Sequence, residues 1–579
     1  MANNQSSPQT VPESISESSQ SYGKPASRGG LPDVIKVDGV KSLVLDSENL
    51  VLNDPTAKKT SRTCSFASFG APAAPPTSTI PLYNVLWVEL AGQTLTIDYA
   101  KYVGKHRVQA AQWIFNVADA DTPDVKTWAD NLLTRAYGPA KRCKRAKVLV
   151  NPHAGPGGAQ KKWDVDCEPL FKAARMPIDV VKTERQGQAV DIAQAIDVDA
   201  FDTIVTCSGD GLAHEVFNGL GSRPDAFHAL QTIAVSHIPC GSGNAMSCNL
   251  YGTYRPSLAA LAIIKGVETP FDLVSITQGD RRLLSFLSQA LGVVAESDLG
   301  TEHLRWMGGA RFTVGFLQRI FQKKCYPCDL AVKVEIEDKH GVKEHYRQKM
   351  SNASATNLGE GPNAAPVESG SSPDAHQGLP PLRYGTINDA LPEGWESISS
   401  DTMGNFYCGN MAYMAADANF FAAACANDGL MDLVCVDGDV SVGSQLSMLL
   451  SVENGQFFDN PLVSYKKITA YRITPRNQKD GYISIDGEKV PFEPFQAEIH
   501  QGLGKVISKR GGYEAAGPTN WDKITIGAVA PIDVTARAVA WVAQAVRRQL
   551  HAFINGIVAC LTFSSYFFKI TFDGQQWLR

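Results

Sequence analysis

Short apolar, β-branched runs recur along this chain, and several of them end in a glycine-rich turn. Phe201 to Thr206 is the clearest, and it reads as a buried strand of a parallel sheet. It runs into Ser208-Gly209-Asp210-Gly211, after which Val216-Phe217-Asn218-Gly219-Leu220 takes up helical spacing. A second run leads into Val150-Asn151-Pro152-His153-Ala154-Gly155-Pro156-Gly157-Gly158. A third, Thr232 to Val235, leads towards Pro239-Cys240-Gly241-Ser242-Gly243-Asn244. With a further strand at Ile178 to Lys182, strand and helix alternate from Val148 to about Leu284. The pattern predicts an α/β domain over 148–284 whose turns line up along the carboxyl edge of its strands.

On either side the pattern changes. Tyr83 to Leu90, Gln93 to Tyr99 and Arg107 to Val117 read as strands, and Asp124 to Tyr137 as an amphipathic helix carrying Val125, Trp128, Leu132 and Leu133. Strands closed by one helix over 81–140 resemble a pleckstrin-homology-like module, or are a strand extension at the front of the α/β domain. After Leu284 strands dominate, with one helix expected at Glu302 to Ile320 and a strand at Leu330 to Glu337. Strand-and-turn segments follow at Gly429–Val434 and Gly481–Glu488, giving a second domain over 285–507. Residues 1–80, with a Pro/Ala linker at 71–78, and the Ser/Gly/Pro insert 351–381 are expected to be disordered. Residues 511–579 stay unassigned; their apolar stretch Leu550 to Phe568 contains His551 and Asn555 and is not read as a span, which leaves a monotopic anchor or a packed extension open.

Composition narrows the classes. The 579 residues predict two or three domains. A net charge of −5 argues against bulk nucleic-acid binding. Twelve cysteines without framework spacing fit a reducing, cytoplasmic compartment. Cys325-Tyr326-Pro327-Cys328 is read as structural. The basic run Lys141 to Lys147 is read as a solvated linker, or as a contact for anionic headgroups.

The glycine turns carry the candidate chemistry. A turn from a strand tip to a helix start offers free backbone N–H groups and the positive end of a helix dipole, which suits phosphate. Asp210, between two glycines, can accept a proton or hold Mg²⁺. No GxxxxGK[ST] is present, so this is not a P-loop, and the His-Arg-Asp and Asp-Phe-Gly motifs of protein kinases are absent too.

Asn-Pro-x-x-Gly, Ser-Gly-Asp-Gly-x-x-x-Glu and Pro-x-Gly-Ser-Gly-Asn, in this order, resemble the diacylglycerol kinase catalytic domain family, and within it the sphingosine (long-chain base) kinases. The resemblance implies a Rossmann-like α/β domain of the NAD kinase and diacylglycerol kinase type, followed by an antiparallel β-sandwich with the site in the cleft. It implies that Asp210 is the catalytic base. It implies nucleotide contacts from Asn151, Pro152, His153, Thr183, Glu184, Arg185, Gln186, Gly187, Glu215, Gly241, Ser242, Gly243, Arg305, Arg311, Asp486, Gly487 and Glu488. Acceptor contacts would come from Ser208, Gly209, Asp210, Gly211, Ser288 and Asp298, and Mg²⁺ would be held by Asp210 and Asp486. The residues Ala295-Glu296-Ser297-Asp298-Leu299-Gly300-Thr301-Glu302 keep the family's headgroup aspartate but depart at Glu296, Gly300 and Thr301. The implied reaction is ATP- and Mg²⁺-dependent phosphorylation of a sphingoid base by a cytoplasmic enzyme held peripherally at membranes. The alternatives are a ceramide or diacylglycerol kinase, or a non-catalytic lipid-binding scaffold.

Overall fold

The structure is a computed structural model that describes residues 33–56, 77–118, 123–155, 157–307, 310–356, 378–453 and 455–522. The apolar stretch 550–568 and most of the low-complexity insert lie outside the described residues, as do residues 1–32.

The first correction comes at the start of the chain. Residues 33–80 are not uniformly disordered, because Val34–Val37, Lys41–Leu45, Asn49–Asn53 and Thr77–Pro81 form a four-stranded antiparallel sheet. Apolar side chains on the inner faces of its strands, Ile35, Leu43, Leu50 and Ile80 among them, are buried. A three-stranded sheet follows, Val85–Ala91, Thr94–Tyr102 and Val108–Asn116, then the helix Pro123–Tyr137. That helix buries Val125, Trp128, Leu132 and Leu133, as its spacing predicts. This N-terminal module does not have a core of its own. Ile35, Leu86 and Trp128 belong to one continuous core with Val148, Val205, Phe217 and Ile263 of the α/β domain.

The α/β domain is built on four parallel strands in the spatial order Ile178–Lys182, Ala146–Val150, Thr203–Ser208, Ala234–Pro239. Thr203–Ser208 and Ala234–Pro239 are buried along their whole length, as central strands of a parallel sheet are. The sheet does not end there. Phe495–Ser508 adds in parallel beside Ala234–Pro239, then pairs antiparallel with Val267–Gln278 and Ser464–Pro475. From Ser464–Pro475 the ladder continues through Met431–Asp437, Met403–Gly409 and Ser288–Gly292 to the hairpin Ile483–Ile485/Glu488–Val490. One mixed sheet thus joins both domains, and its antiparallel part curls around a second core containing Ile276, Phe406, Leu433 and Tyr471.

Three local expectations also change. The expected single helix 302–320 is a 3-10 segment, Glu302–Met307, and a separate helix, Ala310–Gln322. The start of the insert continues the helix Lys339–Thr356, and its end is placed, with Gly378 N–H donating to Pro224 O at 2.6 Å. The basic run is solvated only in part, with Lys141 and Arg142 exposed. Lys141 and Arg145 pair with Asp202 at 3.0 and 2.8 Å, Lys147 pairs with Asp179 at 2.7 Å, and Lys144 is buried. Among the described residues no helix is long and apolar enough to cross a membrane.

Candidate active site

The three glycine turns converge. Asn151 N–H donates to Cys207 O at 3.1 Å, and Cys240 and Gly241 N–H both donate to Ser208 O. The turns then touch backbone to backbone. A Cβ on Gly241 would sit 2.5 Å from Gly209 Cα, and one on Gly155, whose φ is +57°, would sit 2.6 Å from Cys240 O. Only glycine allows that approach. Asn244, at φ +58°, closes the third turn on itself: its Oδ1 accepts from Gly241 N–H at 2.8 Å and its Nδ2 donates to Gly241 O at 2.9 Å.

Asp210 opens the helix Asp210–Gly221. Its two carboxylate oxygens accept from Ala245 and Met246 N–H, both at 3.0 Å. These are the first amides of the helix Ala245–Tyr251, which have no partner within their own helix. The carboxylate is therefore fixed in direction, and each oxygen keeps a lone pair for another donor.

One turn further along that helix is a residue sequence reasoning did not single out. His214 Nδ1 lies 2.8 Å from Asp486 Oδ2. Burial opposes protonation of this imidazole, but Asp486, Glu488 and Glu215 outweigh it and raise its pKa. Asn218, one turn on again, accepts from Leu284 N–H and donates to Leu284 O, both at 2.9 Å. The i, i+4, i+8 spacing of Asp210, His214 and Asn218 was the available signal that one helix face carries all three.

Asp486 and Gly487, at φ +54° and +84°, form the two-residue turn between Ile483–Ile485 and Glu488–Val490. The Asp486 carboxylate accepts from five donors: His214 Nδ1, Ser285 Oγ at 2.6 Å, and the N–H groups of Phe286, Leu287 and Ser288 at 2.9–3.0 Å. Its side chain is fully buried. The lone pairs that Mg²⁺ would need at Asp486 are thus engaged by the protein. Among the described residues no cluster of three His, Cys, Asp or Glu side chains is placed to hold a metal. Asp486 instead shapes the loop bearing Ser288, whose hydroxyl lies 3.5 Å from Tyr407 OH.

Across this hairpin stands Asp298, in the helix Val293–Leu299. A Cβ on Gly487 would lie 3.6 Å from Asp298 Oδ2, so the carboxylate borders the turn directly. Burial, with Glu302 and Glu488 nearby, raises its pKa to about 6 against the opposing pull of Arg311. Arg311 donates to Asp298 Oδ1 at 3.0 Å and to its backbone O at 2.7 Å. The arginine expected at the nucleotide phosphates is thus engaged by Asp298. Glu296, the first departure from the family motif, is buried and paired with Arg319 and Lys324.

Residues 145–276 match the diacylglycerol kinase catalytic domain, and residues 33–138 match a domain of unknown function, DUF7493. The chain is 35% identical over 437 residues to sphingoid long chain base kinase 4 of Schizosaccharomyces pombe, an alignment covering 75% of this chain and 89% of that relative. The chain belongs to the diacylglycerol kinase catalytic domain family. Sphingoid long chain base kinase 5 of Saccharomyces cerevisiae is 37% identical over 427 residues, 66% of this chain, which spans 62% of that relative's length. Human sphingosine kinase 1 is 29% identical over 380 residues, covering 63% of this chain and 91% of the human protein. By family the chain is a phosphotransferase of the lipid kinase kind.

The remaining residues that the family motifs single out lie around the turns. Thr183 follows the strand Ile178–Lys182 and is buried, its N–H donating to Val150 O at 2.9 Å beside Asn151. It does not cap the next helix, Gln188–Ala195, whose N-cap is Gly187 at φ +77°. Glu184, Arg185 and Gln186 are exposed, and Arg185 pairs with Asp191. Glu215 accepts from Ala189 N–H at 3.1 Å, fastening that helix to the one that carries Asp210. Asn151 Oδ1 accepts from His153 N–H, while His153 and Ser242 face solvent and Pro152 is half-buried. The Arg305 side chain lies outside the described residues.

Proposed function

We propose that the chain transfers the γ-phosphoryl group of ATP to the primary hydroxyl of a sphingoid long-chain base. The carrying observation is the placement of Asp298, a half-buried carboxylate against the Asp486-Gly487 turn. A sphingoid base has an ammonium next to its reacting hydroxyl, and a carboxylate largely removed from water favours that cation over a neutral headgroup. The names of the relatives support the same acceptor.

The residues divide the work. The glycine turns at Gly155, Gly209 and Gly241 let the nucleotide approach backbone, with Asn151 and Thr183 on the rim. Asp210, aimed by the amides of Ala245 and Met246, accepts the hydroxyl proton as the phosphoryl group moves. Asp298 holds the ammonium, and Arg311 keeps that carboxylate ionised and oriented. Asp486 fixes the Ser285–Ser288 loop that faces the acceptor. The divalent ion that nucleotide chemistry calls on is given no ligand role at Asp486.

The test is transfer of labelled phosphate from ATP to sphingosine, phytosphingosine, ceramide and diacylglycerol side by side. Phosphorylation of the two amines alone is expected. Labelling of ceramide or diacylglycerol would keep the kinase chemistry and overturn the acceptor. No transfer to any of the four would favour a lipid-binding scaffold.

A further inference from the structure

The strands Thr94–Tyr102 and Val108–Asn116 form a hairpin with Tyr102 opposite Val108. Its tip reads Lys101-Tyr102-Val103-Gly104-Lys105-His106-Arg107. Residues 101–106 are all exposed, and Tyr102 and Val103 leave 52% and 45% of their surface in water. The tip carries three cationic residues and no carboxylate, on a chain whose net charge is −5. A second element lies beside it. Val108 N–H donates to Ser257 Oγ at 3.1 Å, which brings up the residues just before the helix Pro256–Lys265. There Tyr254 is 44% exposed, and the Arg255 guanidinium lies over its ring at 4.5 Å.

We propose that this tip, with Tyr254 and Arg255, is the surface by which the protein docks on an anionic lipid bilayer. Tyrosine rings settle at the membrane–water interface, and lysine and arginine are drawn to anionic headgroups. The two chemistries occur here on neighbouring elements, as an interfacial anchor requires. The tip is also braced. Arg107 binds Asp166 of the catalytic domain at 2.7 Å, so a bilayer holding the hairpin holds the catalytic body in one orientation. The purpose of the docking rests on the lipid-kinase reading, because the acceptor resides in membranes; the surface itself does not.

The experiment sediments the full chain with vesicles of phosphatidylcholine, with and without phosphatidylserine. Activity on acceptor in detergent micelles is measured in parallel. Binding to the phosphatidylserine vesicles is expected to fall about fivefold for each lysine lost in Lys101→Gln and Lys105→Gln. It is expected to fall further in Tyr102→Ser/Val103→Ser, with micellar activity unchanged in every variant. Vesicle binding that is absent in the parent chain, or equal in all variants, would overturn the proposal. Binding that responds to the lysines but not to Tyr102 and Val103 would overturn the two-part anchor in favour of purely electrostatic adhesion. Vesicle docking without kinase activity in the parent chain would remove the lipid-kinase reading and leave the docking surface standing.

Discussion

Asp210 and Asp298 are both carboxylates near one turn, and their surroundings give them different tasks. Asp210 is held by two amides that an asparagine could satisfy only in part, because its NH₂ group cannot accept. Asp210→Asn should lower kcat by roughly 10²-fold or more while a fluorescent ATP analogue still binds. Undiminished turnover would remove Asp210 from the base role. Asp298 makes a prediction in pH. Its pKa of about 6 leaves it ionised at neutral pH and protonated below that value. The counter-charge for the ammonium is then lost, and KM for sphingosine should rise about tenfold per pH unit below about 6. In Asp298→Asn that KM should be high and flat across the same range. A flat profile in the parent chain would mean that Asp298 does not meet the cation. Both residues were legible in the sequence because they sit in local motifs. The amides that aim Asp210 and the arginine held by Asp298 were not, since those partners lie beyond any local pattern.

At the level of elements, the helix Asp210–Gly221 and the hairpin around Asp486 act as one latch. The Asp486 carboxylate satisfies three backbone N–H groups of 286–288 that would otherwise be buried without acceptors. Asp486→Asn turns one of its accepting oxygens into a donor. It should therefore cost about 2–4 kcal/mol in urea unfolding, even in metal-free buffer. A metal ligand would behave differently, with unchanged metal-free stability and a shifted Mg²⁺ requirement, and that result would restore the ligand role. The turn itself was legible as Asp-Gly-Glu, yet the residues it serves, such as Ser285, are 201 positions away in sequence. The strands Val34–Val37 and Lys41–Leu45 were missed for another reason. Asp38-Gly39 between them is a hairpin signal, with φ of 47° and 76°, but the low-complexity stretches on either side of this sheet obscure it. The single helix expected over 302–320 is instead the segments Glu302–Met307 and Ala310–Gln322, and the sequence between them holds two glycines, which are poor helix formers.

Across the whole molecule, the N-terminal module and the catalytic domain meet on buried lysines. Lys265, at the end of the helix Pro256–Lys265, donates to Val85 O and Ala136 O and lies 3.5 Å above the Tyr137 ring. Lys144 donates to the carbonyls of Ile263 and Ile264 at 3.3 and 2.9 Å and is 1% exposed. Burial drives the Lys144 pKa from 10.5 down to about 8, and that of Lys265 well below its ordinary value. The sign of the linkage follows. Between about pH 8 and 10.5 the unfolded chain carries the Lys144 proton and the folded chain does not, so stability rises with pH through that window. Below pH 8 both states are charged and the full penalty, of the order of 3 kcal/mol, is present. Lys144→Met should remove this contribution while forfeiting two hydrogen bonds to carbonyls. Its unfolding free energy should therefore rise less steeply with pH than that of the parent chain between about pH 8 and 10.5, and the Lys144 contribution that it lacks is constant below about pH 8. Parallel curves across the window would show that Lys144 stays protonated in the fold, carried by the carbonyls of Ile263 and Ile264.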